Sequence, residues 1–86
     1  MQIQILYFAR FREKLGCDGE TFALPADRDT SVQSVLDVLA ARGGIWQELF
    51  DCEKGVMAAI NQEMVSRETL VYDEDELALF PPVTGG

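Results

Sequence analysis

Histidine is absent from the chain. That absence removes the commonest general base, the Ser-His and Cys-His nucleophile pairs and the usual zinc-ligand sets. Cysteine is scarce: Cys17 and Cys52 stand far apart, a spacing that fits neither a CxxC redox pair nor a zinc knuckle. Both are expected to be ordinary thiols, because a reducing compartment disfavours a disulfide. Positive charge is also short. Seven Lys and Arg face fifteen Asp and Glu, for a net charge of −8. So few cations cannot readily displace the counterions of a phosphate backbone, which disfavours nucleic acid as a partner. The acidic surplus suits a basic protein surface, or simple solubility. No long apolar run occurs, since Gln, Arg, Glu or Asp interrupts each one, and no membrane span is expected. The start, Met1-Gln2-Ile3-Gln4, has no basic flank ahead of a long apolar stretch and does not look like a secretory signal. The expected location is the cytoplasm.

What is present points to one folded unit. The 86 residues suffice for a single modest core. A hydrophobic fraction of 48%, with Trp46, two tyrosines and five phenylalanines, argues against disorder. Gln2 to Ala9 reads as a strand, with Ile3, Ile5 and Tyr7 alternating against Gln4, Leu6 and Phe8. Arg10 to Leu15 has short helical character, with Gly16 placed to stop it. Thr21 to Leu24 is a second strand, ended by Pro25. Thr30 or Ser31 is a helix cap, and Val32, Val35, Leu36 and Leu39 then form one apolar stripe, carrying a helix to about Arg42 that Gly43 and Gly44 close. Ile45 to Phe50 is ambiguous, with a further turn of helix as one reading. Val56 to Ile60 reads as a buried strand, Asn61-Gln62-Glu63 as a turn and Met64-Val65 as a short return strand. Asp73 to Glu76 is an acidic turn and Leu77 to Phe80 the final strand.

Hairpin, helix and further strands fit two layers, an α+β chain with one main helix packed across one face of a mixed sheet. This is the β-grasp plan, with residues 1–80 as the domain and 81–86 as a flexible tail. If the helix covers Ile3, Ile5, Leu77 and Leu79, alternation sends Leu6, Phe8, Ala78 and Phe80 to the other face. That apolar face is read as a docking surface, with a minor core beneath the 10–19 loop as the competing reading.

The tail is Pro81-Pro82-Val83-Thr84-Gly85-Gly86. Each proline fixes φ near about −65° and lacks an N–H, which suits a stiff exit from the last strand. Glycine has no Cβ and passes where other residues cannot, so a partner enzyme could reach the carboxylate of Gly86. A diglycine alone supports a frayed end equally well.

The motifs Leu6-Tyr7-Phe8-Ala9 with Arg12-Glu13, Ala58-Ala59-Ile60-Asn61-Gln62 with Val65-Ser66, and Asp75-Glu76 leading to Phe80-Pro81-Pro82-Val83-Thr84-Gly85-Gly86 span the whole chain. Together they resemble the small subunit of molybdopterin synthase, a ubiquitin-like sulfur carrier. Tyr7 and the stretch Asp27-Arg28-Asp29 are less typical of that pattern. The resemblance implies pairing of the first and last strands. It also implies that an adenylyltransferase of the ubiquitin-activating type uses ATP and magnesium to adenylate Gly86, and that a sulfur donor protein converts the adenylate to a thiocarboxylate. The small subunit itself would hold no permanent cofactor. It would thread Val83, Thr84 and Gly85 into the large subunit of molybdopterin synthase, in a heterotetramer, and donate sulfur to cyclic pyranopterin monophosphate to build the molybdopterin dithiolene. Catalytic lysines belong to the large subunit in this scheme, and Phe8, Arg12, Met64, Phe80 and Pro81 dock partners. A thiamine-pathway sulfur carrier and a ubiquitin-like modifier joined to lysines remain open as alternatives, as does a binding module with an inert tail.

Overall fold

The computed structural model describes residues 1–51 and 55–82. Strand β1 (Gln2–Tyr7) is followed by helix α1 (Arg10–Leu15) and strand β2 (Gly19–Ala23), which returns antiparallel to β1. Helices α2 (Val32–Ala40) and α3 (Gly44–Phe50) come next, then β3 (Met57–Ile60), β4 (Glu63–Val65) and β5 (Glu76–Phe80). The sheet order is β2-β1-β5-β3-β4. β5 lies at its centre, parallel to β1 and antiparallel to β3. This is the α+β, β-grasp arrangement, including the joined first and last strands.

Strand parity builds the core as expected. Ile3, Ile5, Tyr7, Leu77, Leu79 and Ala58 face α2, whose stripe of Val32, Val35, Leu36 and Leu39 is buried against them. Burying each such aliphatic side chain contributes about 1.5–3 kcal/mol. Ser31 is the cap of α2, its Oγ accepting from the Ser34 N–H at 3.1 Å. The ambiguous 45–50 stretch is helix α3, which brings Phe50 against Phe11 and Tyr7, with ring centroids 5.0 and 6.0 Å apart.

Some boundaries differ from the pattern reading. β2 begins at Gly19, two residues earlier than Thr21, because backbone pairing with β1 continues to Leu6 whatever the side chains. Gly43 and Gly44 do not close α2. That helix ends at Ala40, with Ala41 in right-handed geometry, and Gly43 (φ 79°) and Gly44 (φ 55°) reverse the chain into α3. A left-handed pair is needed for that reversal, not for the helix end itself. Glu63 belongs to β4, leaving Asn61 and Gln62 as the hairpin loop. Glu76 is the first residue of β5 and not the last of the acidic turn.

Candidate functional site

Parallel pairing of β1 with β5 brings the ends of both strands to one place. Tyr7 lies opposite Leu79, and the Phe8 N–H donates to the Leu79 carbonyl at 3.2 Å. Phe8 and Phe80 therefore emerge together and stack, 4.9 Å between centroids and 14° between planes. The face away from α2 carries the row Leu6, Ala78, Ala59 and Met64, and beside it Phe80 opposite Met57. Met64 is 55% and Met57 38% exposed, whereas methionine is among the residues most often buried.

Helix α1 does not cover this face. Its Phe11 is buried against Phe50 on the core side, while on the outer face Ala59 and Ala78 are buried, Leu6, Phe8 and Phe80 half-buried and Met57 and Met64 exposed. Ala9 makes the turn from β1 into α1 at φ 53° and ψ −130°, backbone angles that residues with a Cβ rarely adopt.

Ala9, Met57, Met64, Phe80, Pro81 and Pro82 line an apolar groove of about 400 Å³ on this side of the molecule. None of these side chains ionises, so the groove offers apolar contact. Pro82, the last described residue, also borders a second hollow of about 250 Å³ with Arg10, Phe11, Lys14, Glu48 and Leu49. A Cβ placed on Gly55 would lie 3.6 Å from the Pro82 ring, so the root of the tail rests against that glycine.

Of the residues singled out from sequence, Met64, Phe80 and Pro81 line the groove and Phe8 stacks behind Phe80. Arg12 is exposed on α1 and lines neither hollow. Val83, Thr84, Gly85, Gly86 and Cys52 lie outside the described residues. Cys17 is a half-buried free thiol. Sequence reasoning missed Ala9, Met57 and Pro82. Met57 shares strand parity with Ala59, the one signal available, but only the register opposite Phe80 places it in the groove.

Ionic organisation lies elsewhere. Tyr7 Oη donates to Glu20 Oε2 at 2.7 Å, and Arg42 grips the same carboxylate with two bonds of 2.9 and 2.8 Å while its guanidinium sits 4.4 Å from the Trp46 ring centroid. The bonds from Arg42 hold the Glu20 carboxyl below the usual range, and burial, with the Glu20 bond, raises the Tyr7 phenol. Asp29 accepts from the Ser31 N–H and the Ser34 hydroxyl at 2.9 and 2.6 Å. Hydrogen bonds from these two serines bring its carboxyl down to about 2. Tyr7 and Asp29, two of the atypical residues of the sequence, thus have structural partners. Among the described residues no three His, Cys, Asp or Glu gather to hold a metal, and no helix is long and apolar enough to cross a membrane.

Comparison with known proteins agrees with this layout. The model of the ThiS family matches residues 5–86. The molybdopterin synthase sulfur carrier subunit of Escherichia coli is 40% identical over 84 residues, covering 98% of this chain and 99% of its own. A solved Pyrococcus furiosus structure, described as subunit 1 of a molybdopterin converting factor, superposes with a TM-score of 0.75 at 30% identity, covering 96% of this chain and 99% of that one. Small archaeal modifier protein 1 of Haloferax volcanii superposes with a TM-score of 0.66 at 25% identity, covering 95% and 98%.

Proposed function

The chain belongs to the ThiS family, and from that premise we propose that it is the sulfur carrier subunit of a molybdopterin synthase. The observation that carries this reading is the tail root at the end of the central strand, beside an exposed apolar groove that has no catalytic side chain. A partner can hold such a groove while working on the chain end. The 40% identity to a named carrier subunit along nearly the whole chain supports the same role.

The chemistry falls to Gly86. A carboxylate is a poor electrophile, so an activating enzyme with ATP and magnesium joins it to AMP, releasing pyrophosphate. Sulfur released from a donor protein at the sulfide level then attacks the acyl carbon and AMP leaves, which produces a thiocarboxylate. The large subunit of the synthase takes the loaded tail through Val83, Thr84 and Gly85, and two successive deliveries, each passing one sulfur to the pterin precursor cyclic pyranopterin monophosphate and returning Gly86 to a carboxylate, build the dithiolene. Phe8, Met64, Phe80 and Pro81 provide the docking face, and Arg12 a more distant contact. The cytoplasm is the location we propose, a compartment that supplies ATP and keeps thiols reduced.

The test is loading in vitro. With activating enzyme, ATP, magnesium and a sulfur donor, the C-terminal peptide should gain the mass difference between sulfur and oxygen, and adding the large subunit and precursor should yield dithiolene. A chain lacking Gly86 should fold normally and accept no adenylate; adenylation of that truncated chain overturns the reading. The likeness to small archaeal modifier protein 1 favours a second role, conjugation to lysines. Diglycine remnants on lysines of other proteins would establish it.

A further inference from the structure

Positive charge is rare in this molecule and concentrated in one place. Of the seven cations, Arg10, Arg12 and Lys14 fall within the six residues of α1. Elsewhere Arg42 is committed to Glu20 and Arg67 donates to Gln33 at 3.3 Å. Arg10 and Lys14 are four residues apart, so they share one side of the helix while Arg12 points elsewhere. Both are exposed, both line the hollow that Pro82 closes, and neither is within ion-pairing distance of a carboxylate among the described residues, although Glu48 lines the same hollow. The tail root thus stands between two different surfaces that share Pro82: an apolar groove on one side and a cationic hollow on the other.

We infer that Arg10 and Lys14 form a second contact for the large subunit that takes the tail, and that this partner presents carboxylates beside the entrance through which the tail is threaded. The inference rests on the carrier reading and adds the chemistry of the partner's surface. Net charge of −8 suits a basic partner overall. A uniformly basic surface, however, meets like charge at α1. Carboxylates there match the one positive spot, and they fix the orientation of the docked domain about the tail as the apolar groove alone does not. Charge pairs at the rim of an interface act chiefly on the association rate and on its salt dependence.

The experiment measures association of the full-length chain with the large subunit from the same organism, by stopped flow at about 25 mM and about 500 mM NaCl, across which screening becomes nearly complete. The double variant R10E/K14E should associate about tenfold more slowly than wild type at low salt, and the gap should close to within about twofold at high salt. R10Q/K14Q should fall between the two, and it carries the test if the charge-reversed chain does not fold. R28E, away from the hollow, should match wild type. Equal or faster association of R10E/K14E at low salt means that the partner is basic or neutral at this point and overturns the inference. If wild type does not bind the large subunit at all, the carrier reading itself fails and this inference falls with it.

Discussion

Glu20 accepts three hydrogen bonds, one from the buried Tyr7 phenol and two from Arg42, whose guanidinium also lies 4.4 Å from the Trp46 ring centroid. A planar fork matches a carboxylate as an ammonium does not. Because the folded state holds the Glu20 carboxyl below its ordinary value of 4.5, its contribution is present above that pH and lost as pH falls through the depressed value. Asp29, held at about 2 against an ordinary 3.8, acts in the same direction in the window between those values. Urea unfolding at pH 7, 4.5, 3 and 2 should therefore show stability falling steadily below about pH 4.5. Glu20→Gln should lose about 1–2 kcal/mol at pH 7, since the pair is only partly buried, and should flatten part of that acid slope. An unchanged slope assigns the acid sensitivity to other carboxylates. None of this clasp was legible in the sequence: Tyr7, Glu20 and Arg42 are brought together by the β1–β2 register and the packing of α2, and no spacing rule links the three positions.

At the scale of elements the local signals were strong. The stripe of α2 and its Ser31 cap follow from residues within a few positions of each other, as does the stop of α1 at Gly16 (φ 73°). The hairpin between β3 and β4 was legible as a turn, but its cost was not. Asn61 and Gln62 both take positive φ, 48° and 73°, the pattern of a two-residue type I′ loop in which glycine is preferred at the second position. Asn61 compensates by accepting from the Glu76 N–H at 3.0 Å and donating to Asp75 at 3.1 Å. Gln62 makes no such side-chain bond among the described contacts. Gln62→Gly should therefore raise stability by about 0.5–1 kcal/mol, read as a higher urea midpoint at unchanged slope. A lower midpoint would show that the flexibility gained by the unfolded chain outweighs the relieved strain. The 45–50 stretch stayed ambiguous in sequence because six residues hold too few turns for periodicity to choose helix over strand, and packing against Phe11 and Tyr7 settles it.

For the whole molecule, the docking face is where burial and function separate. Met64 is largely exposed and sits on the short edge strand β4, so Met64→Glu should leave the unfolding temperature within a few degrees of wild type. It should nevertheless weaken binding to the large subunit by about 30-fold or more, as a charge placed in an apolar contact does. Binding unchanged by that substitution would remove the groove from the interface, whatever the role of the tail. The sequence by itself determined which residues are apolar and on which strand face each lies, where α2 starts, and that two glycines without a Cβ stand together at 85 and 86. Those properties reside in single residues or in neighbours a few positions apart, so alternation, spacing and the absence of a Cβ expose them. Only the tertiary structure decided that β5 lies at the centre between β1 and β3, that Phe8 meets Phe80, that Met57 and Pro82 complete the groove and that Arg10 and Lys14 border the tail root. Strand pairing joins segments some seventy residues apart through backbone hydrogen bonds that are the same for every side chain. Periodicity along one strand therefore says which way a residue faces but not what stands beside it.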